Sequence, residues 1–271
     1  MRAAATDPIA TAGTLYLVST PIGNLGDMTF RAVEVLSSTA LIIAEDTRHS
    51  RRLLDHYKIA TPVRSYHEHN EAKETPKLVE RLRSGDSVAL ISDAGTPLIS
   101  DPGARLVAAA LEAGVCVVPI PGASSVLAAL VGSGLSLEKF TFFGFLPRKG
   151  SERAETIGEI LGSRITVVFF EAGNRVAATL SALAQAGAAE RRAVVARPGA
   201  ELPGHRAVRL RRLLGCADHG DRPGVQERVE IDRAQAERPP RDVELFGAGH
   251  AGSGRTATVK YDARVRLRAS W

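Results

Sequence analysis

Ser87–Ile120 reads SVALISDAGTPLISDPGARLVAAALEAGVCVVPI, and this stretch decides the fold. Ser87–Ser92 is a short, mostly apolar run of the kind that forms a buried strand. Gly103–Ala113 is rich in Ala and Leu and reads as helix, and Val115–Ile120 is a second strand. Between the first strand and the helix lies Asp93-Ala94-Gly95-Thr96-Pro97, a turn-rich loop longer than a plain connection requires. A strand, a loop, a helix and another strand form one crossover unit of a parallel sheet.

The unit recurs upstream. Gly13–Thr20 predicts a strand, followed by the turn-rich loop Thr20–Asp27, a cap at Thr29 and a helix over Arg31–Leu36. Ala40–Ala44 predicts a second strand, ending at Glu45-Asp46-Thr47-Arg48 and followed by helix through Leu54. Val63–Tyr66 is a third strand and Lys73–Arg83 a polar-faced helix. Downstream, Pro121-Gly122-Ala123-Ser124-Ser125 opens another helix. A second α/β segment then restarts after Phe142–Gly150, with a helix over Arg153–Leu161 and strands at Thr166–Phe170 and Ala193–Ala196. In such sheets ligands gather at the carboxyl ends of the strands. The chemically unusual loops follow Ser19, Ala44, Ser92 and Ile120, all at that edge.

Composition narrows the classes. The chain has 271 residues, 44% of them hydrophobic, enough to build a core across one large or two modest α/β domains. Its apolar runs are far too short to span a bilayer. Met1–Ala12 lacks a basic start followed by an apolar run, so no secretory leader is expected and the expected location is cytoplasmic. Two cysteines, Cys116 and Cys216, lack metal-ligand spacing and read as reduced thiols, with Cys116 inside an apolar strand and therefore core. The net charge of +5 suits a polyanionic partner, though much of the Arg excess lies beyond residue 190.

Each loop has a bland reading beside a functional one. Asp101 and Gly103 read as the start of the following helix, with Asp101 as its cap. Asp93-Ala94-Gly95-Thr96 reads as a ligand loop, in which small residues admit close backbone approach and Asp93 accepts from an amine or hydroxyl. Glu45 and Asp46, taken alone, read as a helix start, where the dipole favours acids; a role in proton acceptance rests on the neighbouring loops. Pro21–Gly26 is neither G-x-G-x-x-G nor a P-loop, which speaks against dinucleotides and nucleoside triphosphates. Tyr66-His67-Glu68-His69-Asn70 reads as a polar substrate loop in preference to a metal site, because further ligands are missing. Arg148-Lys149-Gly150, after an aromatic stretch, suits single-stranded RNA as well as it suits a solvated linker.

Taken together the loops resemble the tetrapyrrole methylase superfamily. Within it they resemble the branch that methylates a cytidine 2′-hydroxyl in 16S ribosomal RNA. The matching segments are Leu15–Asp27, Ala44–Arg48, Tyr66–Glu71, Ser92–Gly103, Val118–Ser125 and Phe143–Gly150. The resemblance implies two α/β domains, a parallel-sheet domain at 13–120 and a smaller mixed-sheet domain at 121–197, usually in a homodimer. It implies S-adenosylmethionine held between the domains and transfer to 16S rRNA of the small subunit, at cytidine 1402. By loop position Pro21, Asp93, Ala94, Gly95, Thr96, Ser124 and Ser125 are its donor-site residues. Asp46, Glu45 and Arg48 fall on the catalytic, acceptor side, and Arg148, Lys149, Glu171 and Arg175 face RNA; no metal is implied.

Two stretches depart from that pattern. Glu171-Ala172-Gly173-Asn174-Arg175 stands where the branch commonly has Glu-Ser-Pro-His-Arg. After Ala196-Arg197 the branch continues Arg-Glu-Leu, whereas this chain reads Pro198-Gly199-Ala200-Glu201-Leu202. Codons for Pro-Gly-Ala read one nucleotide along permit Arg-Glu-Leu, which points to a shifted reading frame near Arg197. On that reading 198–271 is an atypical, irregular tail, no strand is expected between Pro198 and Arg255, and the second domain lacks its closing strands. Three other functions remain open: a small-molecule methylase acting on a tetrapyrrole, a catalytically impaired binder of donor or RNA, and, more distantly, a Rossmann oxidoreductase.

Overall fold

The computed structural model describes residue 11, residues 13–196, and the backbone of 206–209 and 242–247. Its contacts divide the chain into two units, Met1–Ser125 and Val126–Trp271.

In the first unit five strands form one sheet: β1 (Thr14–Val18), β2 (Leu41–Ala44), β3 (Val63–Ser65), β4 (Val88–Ile91) and β5 (Cys116–Ile120). Their order is β3-β2-β4-β1-β5 and every pair is parallel. The helices between them are α1 (Phe30–Ser38), α2 (Thr47–His56), α3 (Glu71–Arg83) and α4 (Ala104–Glu112). Alternation along the strands assigns the helices to faces. Tyr16, Val18, Ile42, Ala44, Ala89 and Ile91 pack with α1 and α2 residues such as Val35, Leu36 and Leu54. Leu15, Leu41, Ile43, Val88 and Leu90 pack with Leu78 and Leu82 of α3 and Leu106 and Ala110 of α4. The neighbours β1 and β4 therefore send their chains to opposite faces, which opens a crevice at their carboxyl ends.

The expected elements of this unit are all present. Thr29 caps α1, accepting from Ala32 N at 3.2 Å. Two details differ from the sequence reading. The N-cap position of α4 is Gly103, two residues beyond the Asp101 expected there. Gly103 sits at φ 127°, a backbone conformation that favours glycine at this turn. Cys116 is exposed, not core, because β5 is an edge strand.

The second unit carries β6 (Phe140–Phe145), β7 (Thr166–Glu171), β8 (Arg192–Ala196), β9 (Arg206–Arg209) and β10 (Asp242–Gly247), in the order β6-β7-β10-β8-β9. The sheet is mixed: β8 and β9 are antiparallel and the other pairs parallel. Its helices are α5 (Ser125–Ser133, at the boundary between the units), α6 (Ser151–Gly162) and α7 (Val176–Leu183). Every residue of β7 is buried. Val167 and Phe169 pack against α6 and α7, and Val168 and Phe170 against α5. Burying Phe169 alone contributes about 1.5–3 kcal/mol.

Here the expectation for the tail is corrected. Two strands lie between Pro198 and Arg255, and β10 pairs with β7 on one side and β8 on the other. A central strand draws its hydrogen bonds from both neighbours, so a short segment whose own pattern is weak can still be ordered by them. The remainder of 198–271, where poor order was expected, and Cys216 lie outside the described residues.

Candidate functional site

The crevice between β1 and β4 is built from their two following loops. Thr20 and Gly95 form an isolated bridge, with Thr20 N donating to Gly95 O at 2.9 Å and Gly95 N to Thr20 O at 3.0 Å. The buried Thr20 hydroxyl donates to Ser92 O at 3.1 Å, and the Ser92 hydroxyl to Gly95 O at 3.2 Å. The loop after β5 joins them: Thr96 Oγ1 donates to Ala123 O at 3.3 Å, and Ser19 N to Ile120 O at 3.2 Å. A Cβ on Gly95 would stand 3.2 Å from Ile22 Cγ2, and one on Gly122 2.9 Å from Ser19 Cβ. The loops thus meet by backbone approach that larger residues would prevent.

The loop after β4 is also strained. Leu98 and Ser100 adopt φ of 73° and 66°, unusual for residues with a Cβ. Such conformations cost about 1–3 kcal/mol each and persist only where the surroundings over-determine them. Here the Thr20–Gly95 bridge fixes one end of the loop, and Gly103, whose Cα faces Leu90 and Leu98, fixes the other.

The loop after β2 is tied to the same edge. Asp46 N donates to Asp93 Oδ1 at 3.3 Å. The Asp46 side chain caps α2, accepting from Arg48 N at 2.8 Å, and pairs with the Arg48 guanidinium at 3.4 Å. The Arg48 backbone N–H, and then its side chain, hold the Asp46 carboxyl below the usual carboxylate range. Four loops that the sequence singled out are therefore mutually bonded, through Thr20, Asp46, Asp93, Gly95 and Thr96. Glu45, half-buried, adjoins them, Pro21 is buried beside them, and Ala94 is exposed at the rim. Ser124 and Ser125 follow in the β5 loop and are half-buried.

Beyond β3, Tyr66 is fully buried and its hydroxyl lies 2.8 Å from Thr75 Oγ1. Burial pushes the phenol up. Tyr66 is thus a core residue of the polar loop, while Glu68 and His69 are exposed. No group of three metal-ligating side chains occurs among the described residues.

The second unit has its own cluster at the ends of β6 and β7. Arg148 and Lys149 are exposed, as an RNA contact requires. Glu171 is not: it is 0% exposed, so it cannot reach RNA as the sequence suggested. Its Oε1 accepts from Ala172 N at 2.8 Å and from Arg175 at 2.6 Å, and its Oε2 from Thr179 Oγ1 at 2.6 Å. Arg153 donates to the same Thr179 hydroxyl at 2.9 Å and to Pro147 O at 2.9 Å. Sequence reasoning missed Thr20, Ser92, Arg153 and Thr179. Thr20 and Ser92 left one trace, as polar residues closing apolar strands; Arg153 and Thr179 look like ordinary helix positions.

The family model for tetrapyrrole (corrin/porphyrin) methylases matches residues 14–201. The chain is 51% identical over 185 residues to the ribosomal RNA small subunit methyltransferase I of Synechocystis sp., a match covering 68% of this chain and 66% of that one. It is 45% identical over 234 residues to the protein of the same name from Mesorhizobium japonicum, covering 85% of this chain and 79% of that one. Among solved structures, a uroporphyrin-III-C-methyltransferase from Thermus thermophilus matches with TM-score 0.50 and 21% identity, over 78% of this chain and 91% of that one. A conserved hypothetical protein of Aeropyrum pernix K1 matches with TM-score 0.57 and 22% identity, over 77% and 82%. Those two likenesses concern the fold. With its site loops inside the matched span, the chain belongs to the tetrapyrrole (corrin/porphyrin) methylase family, in the group of the ribosomal RNA small subunit methyltransferases I.

Proposed function

We propose that this protein transfers a methyl group from S-adenosylmethionine to ribosomal RNA of the small subunit. The observation that carries the reading is the relatives' shared name at 45–51% identity, over a span that contains all four bonded loops. In this reading the acceptor is the ribose 2′-oxygen of a cytidine in 16S rRNA, cytidine 1402 by resemblance, and the working species is a homodimer.

The residues present suit such a donor. The crevice at β1 and β4 offers backbone groups of Ala94 and Gly95, the hydroxyls of Thr96, Ser124 and Ser125, and the wall of Pro21. One oxygen of Asp93 accepts from Asp46 N, and the other has no hydrogen bond among the described residues, so it can accept from an amine or hydroxyl. When bound, the sulfonium supplies an electrophilic methyl group and a neutral leaving group. The chain's task is then alignment, which can supply about 7–11 kcal/mol of the barrier. A sugar hydroxyl also needs its proton accepted. The carboxylate of Asp46 is committed to α2 and Arg48, and its lowered proton affinity makes it the poorer base. We assign Asp46 to positioning Arg48 and the loop, and Glu45 beside it to proton acceptance. Arg148 and Lys149 contact RNA phosphates.

Incubation with labelled S-adenosylmethionine and 30S subunits lacking the modification tests the reading. Label at a ribose 2′-oxygen of 16S rRNA is expected. Donor bound without transfer would instead favour a binder that has lost catalysis, and label in a tetrapyrrole would favour the small-molecule reading.

A further inference from the structure

We infer that Thr179 and Arg153 are positioning residues that lock the basic loop Leu146–Gly150 to the buried carboxylate of Glu171. The inference rests on the RNA-contacting role proposed for Arg148 and Lys149.

Glu171 ends β7 and is fully enclosed, a place where an acid is tolerated only if its oxygens are satisfied. It meets that condition with three donors: Ala172 N, Arg175 and the Thr179 hydroxyl. The Thr179 hydroxyl has a single proton, which it gives to Glu171 at 2.6 Å. Its lone pairs are then the only groups it can offer Arg153, and Arg153 Nη2 approaches at 2.9 Å. Donation to a carboxylate fixes the direction of the hydroxyl, so Thr179 works as a one-way link from acid to guanidinium.

The other end of Arg153 decides what the link is for. Its Nη1 donates to Pro147 O at 2.9 Å, the carbonyl immediately before Arg148 and Lys149. Pro147 itself contributes no N–H, so the carbonyl is the backbone handle available at that residue. Leu146 is buried and anchors the start of the loop, while Arg148, Lys149 and Gly150 are exposed. The linked groups thus run from the end of β7 through α7 and α6 to the end of β6. The same carboxylate holds Ala172 N and Arg175 of the neighbouring loop, so one buried charge sets the geometry of both. A simpler fold would need none of this, since Phe169 and Leu180 already pack the interior.

Three variants of the full-length protein test the inference by steady-state methylation of 30S subunits and by donor binding. Thr179→Val keeps the shape and removes both links; Arg153→Met removes the hold on Pro147 and leaves Glu171 with all three of its donors. Each should raise KM for subunits about tenfold, as expected for losing a hydrogen bond to a charged group, with kcat and donor affinity kept. Thr179→Ser should restore KM. Amide exchange in 148–150 should quicken in Arg153→Met. The double variant Arg148→Ala, Lys149→Ala reports on the underlying reading. If it raises KM and the other two do not, the link is overturned and the RNA reading stands. If it leaves KM unchanged, the RNA reading fails and takes the inference with it. Equal loss of kcat, KM and donor binding in Arg153→Met would mean a merely structural role and would also overturn the inference.

Discussion

Asp46 shows how one side chain can serve local structure and site together. Its carboxylate caps α2 and its amide reaches Asp93. Asp46→Asn keeps a capping oxygen and removes the charge that holds Arg48, so turnover should fall while donor affinity stays constant; single-turnover kinetics beside calorimetry separates the two. Equal loss of both would make Asp46 a donor-binding residue. The sign of its pH effect follows from its lowered pKa. A carboxyl whose folded value lies below its ordinary 3.8 stabilises the fold above that pH, and the contribution disappears as pH falls through the folded value. The gap in melting temperature between the native protein and Asp46→Asn should therefore shrink on acidification below 3.8. Tyr66 offers a contrasting case, a phenol in the core whose hydroxyl meets Thr75 at 2.8 Å. Tyr66→Phe should cost about 1 kcal/mol, read from urea denaturation. That the loops carrying Asp46, Asp93 and Gly95 lie at one edge of the sheet was visible in the sequence, as unusual loops at strand ends. The full burial of Glu171 was not, because an acid closing an apolar strand gives no sign of its surroundings.

At the scale of elements, loop geometry and helix composition make opposite demands on glycine. A Cβ on Gly103 would lie 2.6 Å from Leu90 and 2.8 Å from Leu98, at φ 127°. Gly103→Ala should destabilise the protein by about 2 kcal/mol or more, through overpacking and backbone strain. It should weaken donor binding as well, because the same loop carries Gly95. Gly158, in α6, has nothing within 4 Å of a built Cβ. Gly158→Ala should stabilise by about 0.5–1 kcal/mol in the same thermal melts. A reversed order of stability for the two variants would contradict this account. The elements of the first unit were legible because its strands other than the short β3 are compact, mostly apolar runs closed by turn residues. β9 and β10 were not, since a strand such as Asp242–Gly247 carries two acids in six residues and gains its place from β7 and β8.

At the scale of the whole molecule, the position of β10 makes the second sheet depend on sequence far from its other strands. Ending the chain after Ala196 would remove β9 and β10 and expose the hydrogen-bonding edges of β7 and β8. Open edges of this kind invite association. The truncated chain should aggregate on size-exclusion chromatography; a monodisperse, cooperatively melting product would show that β10 is dispensable. The family model ends at residue 201, so these strands lie beyond the matched span. Sequence alone determined the class of fold, the parallel first sheet and the gathering of the turn-rich loops at its carboxyl edge. Those follow from local causes: apolar runs of strand length, helix caps, and glycine and proline where backbone must turn. Only the tertiary structure decided which residues touch: the Thr20–Gly95 bridge, the Asp46–Asp93 bond, the enclosure of Glu171, and the place of β10 at the centre of its sheet. Each of these pairs residues far apart along the chain or depends on what covers them, and burial is a property of neighbours that no single position in the sequence records.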